Sequence, residues 1–354
     1  MKGLILSGGK GTRLRPFTYT GAKQLVPLAN KPILFYAIEN LVAAGISDIG
    51  IVVGDTADQI QAAAGDGSRF DAQITYIQQD APRGIAHGVK LAEPFLGRDR
   101  FVLFLGDNFI REGIVSLVEE FRQGPMNSLI LLTPVKNPQD FGVAEVKDGK
   151  VLRVVEKPAN PASNLAVTGI YMFDHYVFDA ISRIKPSGRG EMEITDTIQQ
   201  MVDIGLHVHP HILQGCWIDT GKMEDILEAN RLVLEFLESR VEGKVDGESQ
   251  INGRVVIQAG AEIRRSVVRG PAIIGENTRL INSYVGPFTS IYHDCLVENC
   301  EIEQSIVLEN SHLEHVAHRI VDSLIGRNVQ VNRSRTKPIA YKLVLGDHSR
   351  MEVV

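Results

Sequence analysis

The sequence of 354 residues has few cysteines and no long apolar run. Its three cysteines, Cys216, Cys295 and Cys300, are odd in number and scattered, which argues against a disulfide framework and favours a reducing compartment. They also lack the clustered spacing of a zinc site. No apolar stretch approaches the roughly 20 residues needed to span a bilayer, and the apolar run Gly3–Leu6 is too short for a signal peptide. We therefore expect a cytoplasmic protein that has no membrane partner.

Basic residues are outnumbered by acidic ones, with 37 lysines and arginines against 43 aspartates and glutamates. The formal net charge is -6, so a broad nucleic-acid-binding surface is not expected. A composition that is 44% hydrophobic and 23% charged is that of a soluble globular protein. The length indicates about two domains.

The first 240 residues or so alternate short apolar runs with amphipathic segments. The apolar runs are Gly3–Leu6, Ile49–Val53, Phe101–Leu105 and Ser128–Thr133. Helical patterns lie between them, as in Ile33–Ala44 and Ile114–Phe121. This alternation predicts an α/β domain with a doubly wound, mostly parallel sheet.

The remaining residues follow a different rhythm. A helical pattern over Lys222–Glu238 is followed by a polar segment, where we place a domain boundary between residues 242 and 243. Aliphatic residues then recur every five or six positions: Ile257, Ile263, Val268, Ile274, Leu280, Val285, Ile291, Val297 and Ile302. This period predicts a parallel β-helix over 243–354, with an irregular β-sandwich as the alternative. From about Ser334 the repeat stops, which indicates a cap or a tail.

A glycine-rich turn follows the first apolar run. Gly8, Gly9 and Gly11 can expose backbone N–H groups to a phosphate, and Lys10, Arg13 and Arg15 add positive charge. The spacing excludes a Walker P-loop and the dinucleotide-binding fingerprint.

A wider set of residues resembles one family. The segment from Gly8 to Thr18, together with Lys23 and Pro27, resembles the signature of sugar nucleotidyltransferases. The similarity is closest to the long-type glucose-1-phosphate thymidylyltransferases, which add a left-handed β-helix to a Rossmann-like domain with a mixed sheet. Further segments resemble the metal and sugar sites of that family: 105–108, 141–143, 155–158, 167–171, 188–196 and 217–221.

The resemblance implies an Mg²⁺-assisted reaction between dTTP and glucose-1-phosphate that releases pyrophosphate. It implies metal binding by Asp107 and Asp219, and catalytic roles for Arg13, Lys23, Asp107 and Lys157. Asp107 also follows an apolar strand, where ligands of α/β sheets bind. The sugar phosphate would be bound by Gly142, Glu156, Lys157, Thr168 and Arg189. The nucleotide would be bound by Leu6, Gly8, Gly9, Gly11, Thr12, Arg13, Gln24, Gln79, Gly84 and Asp107, although Gln78 could replace Gln79 if the register slips by one residue.

Three alternatives stay open at this point. The base could be uracil, because thymine and uracil share the imide edge that an amide side chain can pair with. A β-helix with His293, His312, His315 and His318 could carry acetyl transfer from acetyl-CoA. A regulatory protein without turnover is the third possibility. His207, His209 and His211 alternate along one predicted strand face, and we do not expect a metal cluster there. The β-helix also favours a homo-oligomer.

Overall fold

The computed structural model describes residues 1–9, 11–334, 337 and 341–352. These residues form two compact units. Unit 1 comprises Met1–Gly11, Gly21–Leu25 and Ile33–Asp219. Unit 2 comprises Thr12–Thr20, Val26–Pro32 and Thr220–Val354.

The strands before residue 220 are β1 (Lys2–Ser7), β2 (Pro27–Leu28), β3 (Lys31–Pro32), β4 (Asp48–Val53), β5 (Gln73–Gln78), β6 (Phe101–Leu105), β7 (Asn108–Ile110), β8 (Ser128–Pro134), β9 (Gly142–Lys147), β10 (Lys150–Glu156), β11 (Leu165–Phe173), β12 (Val208–Ile212) and β13 (Trp217–Asp219). The helices are α1 (Ile33–Ala43), α2 (Ala57–Ala64), α3 (Ile85–Leu91), α4 (Glu93–Leu96), α5 (Val115–Gln123), α6 (Tyr176–Ile181), α7 (Ile194–Asp203) and α8 (Met223–Leu234). Short 3-10 helices cover Thr12–Leu14, Phe17–Tyr19, Lys23–Leu25, Ser68–Phe70 and Pro138–Asp140.

A nine-stranded mixed sheet forms the centre of unit 1. Its main path runs β10-β9-β11-β6-β1-β4-β5, and β8 pairs with both β11 and β12. The strands β6, β1, β4 and β5 are parallel, whereas β11 runs antiparallel to β6. The parallel part brings the carboxyl ends of β1 and β6 together, so Ser7, the last residue of β1, and Asp107, two residues after β6, lie at the same edge of the sheet.

Both faces of this sheet are covered. Alternate residues of a strand point to opposite faces, and Leu4 and Ile5 of β1 are accordingly buried in two different apolar clusters. Phe101 and Val102 of β6 divide in the same way. Continuous apolar strands therefore form here because neither face meets water, which confirms the predicted Rossmann-like α/β domain with a mixed sheet.

Seventeen short strands of unit 2 form three sheets of parallel strands. The strands are β14 (Arg240–Val241), β15 (Lys244–Val245), β16 (Gln250–Asn252), β17 (Val255–Ile257), β18 (Glu262–Arg264), β19 (Val267–Arg269), β20 (Ala272–Ile274), β21 (Arg279–Ile281), β22 (Tyr284–Val285), β23 (Thr289–Ile291), β24 (Leu296–Glu298), β25 (Glu301–Glu303), β26 (Ile306–Val307), β27 (His312–Glu314), β28 (Ile320–Val321), β29 (Leu324–Ile325) and β30 (Gln330–Asn332). Every third strand joins the same sheet, as in β15-β18-β21-β24-β27-β30. This arrangement confirms the predicted β-helix over the sandwich alternative.

The interior of the β-helix is a stack of aliphatic side chains. Ile263, Leu280, Val297 and Leu313 align in successive coils of one sheet and are fully or almost fully buried. All nine residues that carried the predicted period are buried. Of the described residues beyond Asn332, none belongs to a strand or helix, in line with the expected end of the repeat.

Buried Asn230 of α8 joins distant parts of unit 2. Its Oδ1 atom accepts hydrogen bonds from Ala29 N at 2.8 Å and Ser290 Oγ at 2.7 Å, and its Nδ2 donates to Phe288 O at 3.3 Å. The β2–β3 turn and helix α8 thus pack with the β-helix. The sequence did not indicate that residues 26–32 belong to this unit.

Two further expectations were that the cysteines form no disulfide framework and that no segment spans a membrane. Cys216, Cys295 and Cys300 are all free. Within the described residues, none of the helices is both long and apolar enough to cross a membrane.

Candidate active site

The buried side chain of Lys23 lies between two carboxylates of unit 1. Its Nζ donates a short hydrogen bond to Asp107 Oδ2 and lies 3.8 Å from Asp219 Oδ1. Lys23 belongs to a 3-10 helix, Asp107 follows β6, and Asp219 ends β13. Three predicted site residues from distant parts of the sequence therefore meet.

The electrostatics of this cluster keep Asp107 ionised. Burial on its own would raise the pKa of Asp107, but the charge of Lys23 and the hydrogen bonds from Lys23 and Asn108 hold that pKa below its ordinary value. Two carboxylates that converge on one positive charge form an all-oxygen donor set, which is the kind that Mg²⁺ prefers. In this structure the Lys23 ammonium supplies that positive charge. Asp107 and Asp219 thus fit a hard divalent cation.

Two neighbouring residues fix the orientation of Asp107. Trp217 Nε1 donates to Asn108 Oδ1 at 2.6 Å, and Asn108 Nδ2 donates to Asp107 Oδ1 at 2.9 Å. The antiparallel pairing of β7 with β13 places Asn108 opposite Asp219. Gly169 leaves room for this network, because a Cβ atom there would lie 2.3 Å from Asn108 Oδ1. No sequence pattern indicated a role for Asn108 or Trp217, although each lies within two residues of a predicted metal ligand.

The glycine-rich turn approaches the predicted base-binding segment. A Cβ atom on Gly8 would lie 2.6 Å from Gln79 Oε1, so a side chain at position 8 would displace the Gln79 amide. Gln79 is buried, whereas Gln78 is exposed. Leu6 lies in β1, just before this turn, and is half-buried. A Cβ atom on Gly9 would meet no atom of the described residues within 4 Å. Gly11 has a positive φ of 60°. Lys10 lies outside the described residues.

His87 orients the amide of Gln79. The Gln79 Nε2 and His87 Nδ1 atoms are 3.1 Å apart. Burial, and then the charge of Arg83, lower the pKa of His87 below its ordinary value. His87 is therefore neutral near pH 7, and its Nδ1 can accept a hydrogen bond from the amide. No sequence pattern had singled out His87.

Several buried polar atoms at these positions have no hydrogen-bond partner among the described residues. They include Gln24 Oε1, Thr168 Oγ1 and Ser7 Oγ. Most buried polar groups in proteins are paired, so an orphan in a cleft is a candidate to bind a ligand. Gln24 and Thr168 were predicted ligand residues, whereas Ser7 was not.

Four of the five predicted sugar-phosphate residues, Gly142, Glu156, Lys157 and Arg189, meet near the start of α7. The pairing of β9 with β10 places Gly142 opposite Glu156. Glu156 accepts a hydrogen bond from Thr195 Oγ1 at 3.1 Å and lies 3.9 Å from Lys157 Nζ and 2.9 Å from Arg189 Nη2. Burial, followed by the charge of Glu193, raises the pKa of Glu156. Four charged side chains and a glycine thus share one small region.

Gly84 connects the base-binding segment with this region. Its φ is +99°, and a Cβ atom would lie 2.4 Å from Met192 O. Two backbone hydrogen bonds flank it, from Met192 N to Arg83 O at 2.7 Å and from Ala86 N to Met192 O at 3.1 Å. The predicted base and sugar-phosphate segments are therefore joined through a position that requires glycine.

Thr12 and Arg13 belong to unit 2. Both are exposed. The guanidinium of Arg13 lies against Gly221, where a Cβ atom would come within 3.0 Å of Nη2, and its charge acts on Asp225.

Comparison with known proteins identifies the family. The sequence model described as nucleotidyl transferase matches residues 2–235. A glucose-1-phosphate thymidylyltransferase of Streptomyces griseus is 53% identical over 100% of this chain and 99% of its own, and one of Streptomyces antibioticus is 50% identical with the same coverage. A solved structure from Bacillus anthracis, assigned as a glucose-1-phosphate thymidylyltransferase and bound to sucrose, is 38% identical with a TM-score of 0.64. It covers 68% of this chain and 98% of its own. The chain therefore belongs to the nucleotidyl transferase family, among the glucose-1-phosphate thymidylyltransferases.

Proposed function

We propose that this protein transfers a thymidylyl group from dTTP to glucose-1-phosphate, giving dTDP-glucose and pyrophosphate. The observation that carries the proposal is the convergence of Lys23, Asp107 and Asp219, since this reaction needs positive charge held beside two anionic substrates. The full-length similarity to the Streptomyces enzymes supports the choice of substrates.

The reaction is an in-line displacement at phosphorus. A phosphate oxygen of glucose-1-phosphate forms a bond to the α-phosphorus of dTTP, and the bond from that phosphorus to the bridging oxygen breaks as pyrophosphate leaves. The attacking phosphate is already ionised, so the step needs no side-chain nucleophile. The protein's work is to neutralise charge and align the substrates.

Lys23 and the two aspartates would divide this work. Lys23 is buried, so its ammonium acts on a phosphate with little screening by water. Asp107 and Asp219 would hold Mg²⁺, which when bound neutralises phosphate oxygens and orients them. Trp217 and Asn108 keep the Asp107 carboxylate in one orientation through their hydrogen bonds. We assign Arg13 and Thr12 to the departing pyrophosphate on the basis of the family resemblance.

The sugar phosphate would bind where Glu156, Lys157 and Arg189 meet. Glu156 would accept hydrogen bonds from sugar hydroxyls, while Lys157 and Arg189 would bind the phosphate. The orphaned hydroxyl of Thr168 and the backbone at Gly142 would complete the sugar contacts.

Gln79 would read the base, with its amide oriented by His87, and Gly84 would contact the base edge through its backbone. Leu6, Gly8, Gly9 and Gly11 would line the nucleotide, and the orphaned Gln24 Oε1 would accept a hydrogen bond from it.

Three sequence predictions accompany this proposal. Residues 1–242 would carry the chemistry, and residues 243–354 would serve assembly into a homo-oligomer, which light scattering can test. The reaction would take place in the cytoplasm.

The test is pyrophosphate release by the purified full chain with Mg²⁺, glucose-1-phosphate and each nucleoside triphosphate in turn. We expect release with dTTP, and its loss in Asp107→Asn. Asp99→Asn is a matched control, because Asp99 is exposed and lies 3.7 Å from Lys2 Nζ. Release with UTP and not dTTP would overturn the base assignment. Unchanged release in Asp107→Asn would overturn the role of the carboxylate pair.

A further inference from the structure

The guanidinium of Arg189 is shared between two carboxylates of unequal character. Arg189 Nη2 lies 2.9 Å from Glu156 Oε1 and 2.9 Å from Glu193 Oε1. Glu191 is a third acidic neighbour, but its Oε2 is 3.8 Å away. In the absence of a sugar phosphate, Arg189 thus has two equally close partners.

Glu193 is the more firmly held of the two partners. Its side chain is 7% exposed, compared with 22% for Glu156. Ser187 Oγ donates to Glu193 Oε1 at 2.7 Å. Glu193 also immediately precedes α7, where the helix dipole favours a negative charge. These features hold its carboxylate in place.

The loop that carries Arg189 is built around the same carboxylate. Ser187 Oγ accepts a hydrogen bond from Arg189 N at 3.2 Å while it donates to Glu193. The turn is closed by bonds from Gly190 N to Ser187 O and from Ser187 N to Glu191 O, both 2.8 Å long. Backbone and guanidinium of Arg189 are thus both tied to Glu193, one through Ser187 and one directly.

Glu156 also accepts a hydrogen bond from a hydroxyl, that of Thr195 at 3.1 Å, but it differs from Glu193 in two respects. It is more exposed and belongs to β10, outside the Arg189 loop. In the proposed function its oxygens accept hydrogen bonds from sugar hydroxyls. An oxygen that pairs with Arg189 in the free protein would then have to exchange partners when the sugar binds.

We propose that Glu193 is a positioning residue for the sugar phosphate: it stays bonded to Arg189 and presents the guanidinium to the phosphate, while sugar hydroxyls displace Glu156 from Arg189. This inference rests on the proposed function and deepens it. Holding a long side chain in its binding geometry beforehand lowers the entropy cost of binding. The Glu193 carboxylate does not itself touch the substrate.

The direct test is Glu193→Gln, which keeps the size and the acceptor for Ser187 Oγ but removes the charge. Binding of glucose-1-phosphate is measured by calorimetry in the presence of a dTTP analogue with a methylene bridge between the α- and β-phosphorus. We expect about tenfold weaker binding, the size of one charge-assisted hydrogen bond. In turnover, the KM for glucose-1-phosphate should rise by the same factor, and the KM for dTTP should change less than about twofold. Glu191→Gln is the matched control and should leave both constants unchanged.

A double-mutant cycle separates positioning from a general structural effect. If Glu193 acts through Arg189, Glu193→Gln should have almost no further effect on glucose-1-phosphate binding in an Arg189→Ala background. Glu193→Asp retains the charge and should recover part of the affinity.

Several outcomes would overturn the inference: equal effects of Glu193→Gln and Glu191→Gln, additive effects in the cycle, or a parallel rise in both KM values. Failure of the unaltered protein to bind glucose-1-phosphate would also overturn it. Binding of glucose-1-phosphate without pyrophosphate release would instead refute the proposed function and leave the binding cycle as the test of Glu193.

Discussion

Each unit of this protein contains an arginine that bridges two glutamates, and the two bridges differ in their surroundings. In unit 1, Arg189 contacts Glu156 and Glu193, whose side chains are 22% and 7% exposed. In unit 2, Arg319 contacts Glu301 and Glu303 at 2.8 Å and 3.1 Å, but those side chains are 54% and 34% exposed. The arginines themselves are similarly exposed, at 43% and 46%.

The difference lies in the carboxylates, and it extends to the two units as a whole. Unit 1 buries the charged side chains of Lys23 and Glu193, and each of them contacts a side chain of opposite charge. The β-helix of unit 2 buries aliphatic side chains, and the two carboxylates that Arg319 contacts are more exposed than those at Arg189. Burying a charge costs free energy unless it is paired, so the converging charges of unit 1 are a sign of function, whereas exposed pairs are not.

The largest effect is expected where charge is buried most. Replacing Lys23 by Gln removes the positive charge between Asp107 and Asp219, so the pKa of Asp107 should rise and kcat should fall by about 10²–10³-fold. Lys2→Gln is the control, because Lys2 pairs with the more exposed Asp48 and Asp99. Steady-state kinetics of pyrophosphate release measures kcat for both variants. Equal rates in the two variants would show that the buried charge has no catalytic role.

In unit 2 the largest effect is expected from the loss of a buried apolar side chain. Leu280 is fully buried in the β-helix, so Leu280→Ala should lower the free energy of unfolding by about 3 kcal/mol through lost burial and a cavity. Denaturant unfolding gives this value. At temperatures where the variant is folded, its kcat/KM should match that of the unaltered protein. A large loss of kcat/KM in the folded variant would contradict the separation between a chemical and a structural region.

Gly84 tests whether the joined segments of unit 1 depend on close packing. Alanine there would overlap Met192 O in addition to adopting a positive φ, and we expect a loss of about 2 kcal/mol in unfolding free energy and weaker dTTP binding. Gly65→Ala also has a positive φ, of +64°, but meets no atom within 4 Å. Thermal unfolding of the two variants isolates the overlap. The prediction fails if both lose the same stability.

The raised pKa of Glu156 predicts an acid-side effect on sugar binding. Burial is the main cause and the Glu193 charge the second, so Glu156 becomes protonated at a higher pH than an ordinary glutamate. The neutral carboxyl is a poorer acceptor, and kcat/KM for glucose-1-phosphate should fall as the pH is lowered towards this pKa. Glu193→Gln removes one cause and should move the acid limb to lower pH. A limb that stays in place, or moves to higher pH, would contradict the assignment.

The sequence predicted the elements whose signal is local. The β-helix period is readable because each coil repeats the same burial, and Lys23, Asp107 and Asp219 lie in recognisable segments. It did not predict contacts that require distant segments to meet. Trp217 and Asn108 are 109 residues apart, and Asn230 and Ala29 are 201 apart. Glu191 and Glu193 are both acidic residues close to Arg189 in sequence. Only their burial and contacts in the folded protein distinguish Glu193 as the one that holds Arg189.

The smallest effect is expected at the exposed bridge of unit 2. Arg319→Gln removes contacts with Glu301 and Glu303, but exposed ion pairs are screened and cost side-chain entropy to order. We expect no measurable change in the melting temperature at physiological salt, or in either KM. By contrast, Arg189→Gln should raise the KM for glucose-1-phosphate and leave the melting temperature nearly unchanged. A clear loss of stability in Arg319→Gln would mean that the β-helix depends on its surface charges, and the contrast between the two arginines would then lie in substrate binding alone.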